Sequence, residues 1–354
     1  YVNATINSLD IDLVPCYAVA SATDIKSAVD RTPFHTRYIL AHIDGYADDV
    51  LLAKQFAKAG GVYGSDHMTE GFSGYLCEIL TIYYGGFHAL LCAAACWRPG
   101  EVVDIEGHGR KPFDEPLVVI DPVDPERNVA AALSLSRMFE FAELARGYLA
   151  EPSEAFFCRS PSPPLIRDVF SRLLAARGTH LFSVTFATPD YTPDTVVPQL
   201  RKSAESIREL LERSGFAANR IDVCMGKERC VLLFELMASD VPAMRRHIGP
   251  PLSSRENAEK FLAKYVQEDV FAGPYIEDGR YVVEVPRPFT RAADLLRSRI
   301  LFDVALGKHV RRSMKQGWTV KVGAECWDDA FAGFLSGFMG RASPLARIKR
   351  MTGR

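Results

Sequence analysis

The sequence of 354 residues is most informative first for what it lacks. No apolar run reaches the ~18 residues that a membrane helix requires. The opening residues do not read as a signal peptide. None of the eight cysteines (16, 77, 92, 96, 158, 224, 230 and 326) forms a Cys-x-x-Cys pair. Cys92 and Cys96 stand four apart in an Ala-rich stretch with no Cys or His pair nearby, which argues against zinc and for reduced, buried thiols in a cytoplasmic protein. There is no internal repeat and no low-complexity segment. An initiator Met is also missing, and the chain starts inside an expected strand, so an amino-terminally incomplete chain is expected.

What is present is ordinary for a soluble globular protein: 48% hydrophobic and 24% charged residues. The length suits about two to three domains of ~100–200 residues each. Net charge is −2, but it is uneven. From Arg291 to Arg354 there are 13 Lys/Arg against 5 Asp/Glu, so this end carries +8 and the remainder −10. Such a basic end suits a polyanionic partner such as nucleic acid, and equally a solvated basic face.

The stretch Leu9-Asp10-Ile11-Asp12-Leu13-Val14 alternates apolar and polar residues, as a half-buried strand does. Asn7-Ser8 is a turn signal, so Tyr1–Ile6 and Leu9–Val14 read as a hairpin. Asp10 and Asp12 are two apart and share a strand face. Paired carboxylates suit a Mg²⁺ site, since Mg²⁺ takes oxygen ligands; an ordinary solvent face is the alternative.

Further along, Pro33 breaks the pattern and Thr36–Ile43 begins a helix. Asp48–Lys58 is an amphipathic helix stopped by Gly60-Gly61. Gly71-Phe72-Ser73-Gly74 is a tight loop opening a helix over Tyr75–Tyr84, and Gly86–Trp97 is a second buried helix. A short strand, Pro116–Ile120, runs into a rigid polar loop, Asp121–Asn128, and then a long helix, Val129–Tyr148. The Pro/Ser-rich stretch Ser160–Pro164 marks a boundary. Beyond it the expected order is strand Thr179–Ala187, helix Val197–Ser214, strands Arg220–Met225 and Cys230–Met237, helix Ser253–Val266 and strand Arg280–Val285. That β-α-β-β-α-β order fits an α+β sandwich of the ferredoxin or RNA-recognition type, followed by a basic helical remainder.

Four stretches together resemble the archaeal-type (class I) CCA-adding tRNA nucleotidyltransferases. They are Asp10-Ile11-Asp12-Leu13-Val14-Pro15-Cys16-Tyr17, Ala28-Val29-Asp30-Arg31-Thr32-Pro33-Phe34-His35, Gly71-Phe72-Ser73-Gly74-Tyr75-Leu76-Cys77-Glu78, and Asp121-Pro122-Val123-Asp124 with Arg127-Asn128-Val129-Ala130. The resemblance implies an α+β chain in three parts. Residues 1–38 would end a polymerase-β-like nucleotidyltransferase head, 39–153 would form a mainly helical, nucleotide-binding neck, and 154–354 a tRNA-binding body and tail. The family's Gly-Ser motif and first acidic pair are not in this sequence, so this chain alone is expected to be incomplete for catalysis.

The resemblance also implies roles. Asp12 would be the catalytic carboxylate and Mg²⁺ ligand, with Asp10 as electrostatic support. His35, Lys54, Tyr63 and Arg127 would bind the nucleotide. The implied activity is addition of C, C and A to the tRNA 3′ end from CTP and ATP, with release of pyrophosphate and with tRNA as partner. A homodimer is left open, and no membrane is involved. Arg311, Arg312 and Lys315 in the basic end are the candidates for tRNA phosphates. For Arg127 there is also a chemical argument: an Arg fork only donates, and C and A present a bare ring nitrogen where U and G present N–H. Its ordinary alternative is a salt bridge to Asp121 or Asp124. The rival functions are another polymerase-β-type RNA nucleotidyltransferase, of the poly(A) or oligoadenylate kind, and a non-catalytic RNA-binding fragment.

Overall fold

The computed structural model describes residues 2–7, 9–158 and 164–353, apart from the side chains at positions 3, 10 and 12. The chain is a mixed α and β protein in two compact units, Tyr1–Ser162 with Ala342–Arg354, and Pro163–Arg341. Of the expected boundary stretch Ser160–Pro164, all but Pro164 lies outside the described residues.

The first unit opens with the expected hairpin, antiparallel strands β1 (Val2–Ile6) and β2 (Leu9–Leu13), with Thr5 opposite Asp10 and Asn3 opposite Asp12. Helix α1 (Thr32–His42) follows. Pro33 does not interrupt it but occupies its first turn, where the missing N–H costs nothing. Helix α2 (Ala47–Gly60) ends on Gly61 in the left-handed region (φ 74°), and α3 (Gly74–Tyr84) and α4 (Phe87–Ala94) come next. No single described helix is long and apolar enough to cross a membrane, and α3 and α4, apolar together, meet at 95°.

A three-stranded sheet completes this unit: β3 (Glu101–Val103) is parallel to β4 (Leu117–Asp121), and β4 is antiparallel to β5 (Asp124–Asn128). The stretch expected as a polar loop is therefore largely a strand. Buried Asn128 fastens it, donating to the Leu117 carbonyl at 3.1 Å and accepting from the Val119 and Ala130 amides at 2.8 and 2.9 Å. The long helix α5 (Leu135–Ala150) begins six residues later than expected, because Ser134 caps it by accepting from the Arg137 amide. Phe56, fully buried on α2, centres the core among Phe87, Phe141, Phe156 and Tyr148.

In the second unit, α6 (Arg167–Arg177) precedes β6 (His180–Ala187), α7 (Pro193–Arg213), β7 (Ala218–Met225) and β8 (Arg229–Leu236). Next come β9 (Met244–Pro251), α8 (Arg255–Val266), β10 (Ala272–Glu277) and β11 (Arg280–Pro286). Helices α9 (Ala292–Arg297) and α10 (Lys308–Gln316), strand β12 (Thr319–Val322) and helix α11 (Ala332–Met339) follow. The main sheet is antiparallel in the order β12-β6-β8-β7. Its last strand is β12, not the expected Arg280–Val285. That segment is β11, which pairs with β9 and β10 in a separate three-stranded sheet against which α8 packs. Successive residues of β6 alternate faces. Phe182, Val184 and Phe186 meet the apolar stripe of α7, and Leu181 meets Phe170, Phe331 and Leu335.

The final helix α12 (Pro344–Thr352) packs on α5 in the first unit, with Ile348 in its core. The +8 end is thus divided between the two units. The thiols also differ from expectation. Cys77, Cys230 and Cys326 are buried, whereas Cys16, Cys92, Cys96 and Cys158 are exposed.

Candidate active site

Four segments of the first unit converge on the first turn of α3. Ser73 caps that helix, accepting from the Leu76 amide at 3.1 Å. The pairing that delivers it is a short parallel bridge, Tyr63 beside Phe72. Its hydrogen bonds are Phe72 N–H to the Val62 carbonyl (2.7 Å) and Gly64 N–H to the Phe72 carbonyl (2.8 Å).

Gly74 faces Lys54 and Tyr63. A Cβ there would sit 3.1 Å from the Tyr63 hydroxyl and 3.9 Å from Lys54 Nζ, so a glycine leaves room where these two side chains meet. Lys54, on α2, pairs with Glu78 one turn further along α3, at 2.5 Å. Burial raises the Tyr63 phenol above its ordinary pKa, and the Cys77 and Glu78 charges add to this while Lys54 opposes it.

The next residue, Tyr75, joins this pair to the other two candidates. Its ring stacks on His35, centroids 4.0 Å apart, and its hydroxyl donates to Asp121 Oδ1 at 3.1 Å. Asp121 ends β4 and is fully buried. Its Oδ2 accepts from His35 Nε2 (2.9 Å) and from Arg127 Nη1 (2.6 Å), and its Oδ1 also accepts from the Val123 amide (3.1 Å). Burial by itself would raise this carboxyl's pKa. The hydrogen bond and charge of His35, the Val123 amide and the Arg127 fork outweigh that and hold it below the usual range. Burial, followed by the charge and hydrogen bond of Asp121, pushes the Tyr75 phenol well up, and the Arg127 charge only partly opposes this. Thus the salt bridge named as the alternative for Arg127 is present, to Asp121, while the Arg127 side chain remains about one-third exposed.

Arg127 lines a cleft of about 840 Å³ with Arg31, Ser73, Arg110, Lys111 and Phe113 among its walls. Arg31 is tied to Asp124 through Nε and Nη2, both at 2.9 Å. The loop before β4 is fixed by Asp104, which accepts from the His108 and Gly109 amides, and by His108 Nε2 against the Asp121 carbonyl at 3.1 Å. Preceding α1, buried Asp30 accepts from the amides of Tyr17, Lys26 and Ser27 and so folds residues 17–30 onto themselves.

His35 and Arg127 thus meet on Asp121, and Lys54 and Tyr63 meet at Gly74; the adjacent residues Gly74 and Tyr75 join the two pairs, Glu78 holds Lys54, and of the four candidates Arg127 lines the cleft. In the sequence, Gly74, Tyr75 and Glu78 lie in the Gly71–Glu78 motif and Asp121 opens the Asp121–Asp124 motif, without a sign of these contacts. Asp10 and Asp12 lie on β2, and their carboxylates fall outside the described side chains. Among the described residues no group of three or more His, Cys, Asp or Glu is arranged to hold a metal ion. In the second unit, Arg312 and Lys315 project from α10 into solvent. Arg311 instead turns inward, donating to the carbonyls of Phe302 (2.7 Å) and Val304 (2.9 Å).

Comparison with known proteins identifies the family. The family model described as tRNA nucleotidyltransferase, second domain, matches residues 48–158, and that described as CCA-adding enzyme, C-terminal domain, matches residues 177–323. A curated CCA-adding enzyme of Methanoregula boonei is 59% identical over 350 residues, covering 99% of this chain and 76% of that protein. Those of Methanosarcina barkeri and Haloarcula marismortui are each 44% identical, covering 90% and 89% of this chain and 70% and 71% of theirs. The chain belongs to the CCA-adding enzyme family.

Proposed function

We propose that this protein is a CCA-adding tRNA nucleotidyltransferase, extending the tRNA 3′ end with C, C and A from CTP and ATP and releasing pyrophosphate. The observation that carries the reading is the convergence of His35, Lys54, Tyr63 and Arg127 on the first turn of α3. Lys54 and His35 are cationic or N–H-donating groups suited to triphosphate oxygens. Tyr63 adds a phenolic donor or a ring face.

Arg127 is the base reader. Cytosine and adenine each offer a bare ring nitrogen to its N–H groups. Uracil and guanine offer an N–H there, and a donor facing a donor leaves a polar group unpaired, at about 1–3 kcal/mol. Members of this enzyme class use divalent metal ions to activate the attacking hydroxyl and neutralise the triphosphate. Mg²⁺ at Asp12 is our assignment, with Asp10 in electrostatic support. We assign residues 1–38 to the end of a polymerase-β-like head, 39–153 to the neck and 154–354 to the body and tail, with Phe156 and α12 of that last part packed in the first compact unit. The body is of the ferredoxin or RNA-recognition type, with the β9–β11 sheet as an insertion. Arg312 and Lys315 are its candidates for tRNA phosphate.

The test is incorporation by the full-length enzyme, with CTP, UTP, GTP and ATP each supplied separately to tRNA lacking its CCA end and to tRNA ending in CC. Incorporation of C and then A, and of neither U nor G, is expected. Incorporation of ATP alone would move the enzyme to the poly(A)-synthesising class.

A further inference from the structure

We propose that Asp121 is the positioning residue for base selection, fixing the direction in which the Arg127 fork meets the incoming base. The inference rests on the base-reading role of Arg127 given above.

An ionised carboxylate has about four lone-pair directions. At Asp121 four donors use them: Tyr75 Oη and the Val123 amide on Oδ1, His35 Nε2 and Arg127 Nη1 on Oδ2. The group is fully buried and its backbone carbonyl is held by His108 Nε2. It therefore has no freedom of its own. Arg127 sits on a long, flexible stem, and Asp121 supplies its one hydrogen bond among the described residues, leaving most of the five guanidinium N–H groups available at the cleft wall. A fork that discriminates by donor geometry must be held in one plane. Otherwise it swings aside from U or G, and the mismatch costs little. Asp121 also sets His35 and Arg127 against one oxygen, so the group expected at the phosphates and the group expected at the base share a single reference point.

Asp121→Asn removes the charge and two acceptor directions. Whichever way its amide turns, one pair of donors then faces another donor. In the full-length enzyme the ratio of CTP to UTP incorporation should fall about tenfold, the scale of one charge-assisted hydrogen bond. Tyr75→Phe keeps the ring against His35 but frees one direction on Oδ1, and should lower the same ratio by a smaller factor in a folded protein. His35→Ala frees a direction on Oδ2, beside Arg127, and should lower the ratio at least as far while also slowing both nucleotides. Arg127→Ala alone should lose discrimination, and adding Asp121→Asn to it should lose none further.

If Arg127→Ala discriminates poorly while Asp121→Asn and Tyr75→Phe keep the wild-type ratio, or slow all four nucleotides by one factor, the positioning role is overturned and base reading by Arg127 stands. If Arg127→Ala itself keeps the ratio, base reading fails first. Where Asp121→Asn does not fold, an unmoved ratio in Tyr75→Phe overturns the inference.

Discussion

Lys54 Nζ lies 2.5 Å from Glu78 Oε1, in a pair whose side chains are each about one-fifth exposed. The two roles open to Lys54, holding Glu78 and binding phosphate, predict different variants. If Lys54 serves the triphosphate, Lys54→Ala should weaken CTP binding by about tenfold or more, as loss of a charge-assisted hydrogen bond does. Glu78→Gln keeps the cation and removes a repelling carboxylate, so it should not reproduce that loss. Nucleotide titration of both variants decides this. Equal losses in the two would make the pair structural and withdraw Lys54 from the site.

Gly71 is the second point at which the fold constrains the site. A Cβ there would lie 1.9 Å from the Val62 carbonyl oxygen, an overlap that only backbone movement relieves. Gly71→Ala should therefore part the Val62–Gly64 and Gly71–Phe72 segments, costing about 1–3 kcal/mol as overpacking does, and carry Tyr63 out of place. Gly337→Ala on α11 meets nothing within 4 Å and is the control. Thermal unfolding and nucleotide titration of both should separate; a Gly71→Ala protein with wild-type melting and binding would refute the tight pairing.

The basic helix α10 gives a prediction about tRNA. Arg312 and Lys315 are exposed, whereas Arg311 binds the Phe302 and Val304 carbonyls. Replacing Arg312 and Lys315 by Ala should reduce the salt dependence of tRNA affinity by about one to two units of slope, at ~0.7–0.9 per phosphate contact, with little change in stability. Arg311→Ala should instead destabilise the second unit by about 1–3 kcal/mol, because two carbonyls lose their donor. An unchanged slope in the double variant would move the RNA surface off this helix.

How much of this was readable beforehand depended on where the physics is local. The hairpin, α2 with its Gly61 stop, and α7 carry their own periodicity and caps, and each was legible to within a few residues. Strand β5 was not, because Asp124-Pro125-Glu126-Arg127-Asn128 has no apolar residue; only its pairing with β4 and the buried Asn128 make it a strand. The four-residue β12 was hidden likewise, since its partner β6 lies more than 130 residues earlier. At the proposed site, the family resemblance pointed to His35, Lys54, Tyr63 and Arg127. Asp121 was visible as a motif residue and a salt-bridge partner but not as the point that collects them, because a sequence does not show that one carboxylate takes four donors.

The last prediction concerns pH. Glu235, fully buried on β8, accepts from Arg177 Nε (2.6 Å), Thr179 Oγ1 (2.6 Å), Arg220 Nε (2.9 Å) and Asn219 Nδ2 (2.8 Å). Burial opposes its ionisation, but the bonds from Arg177, Thr179, Arg220 and Asn219 prevail and hold its pKa down to about 2, against an ordinary 4.5. A carboxyl with a depressed folded-state pKa stabilises the protein above its unfolded-state value, and that contribution disappears as pH falls through the folded-state value. The difference corresponds to about 3 kcal/mol at neutral pH. Glu235→Gln should cost roughly that at pH 7, since it leaves Arg177 and Arg220 without their buried carboxylate. Between pH 4.5 and 2 the wild type should lose this increment and the variant should not, so the two denaturation curves converge in acid. A gap between them that stays constant from pH 7 to pH 2 would show that the loss in Glu235→Gln is one of packing rather than of charge.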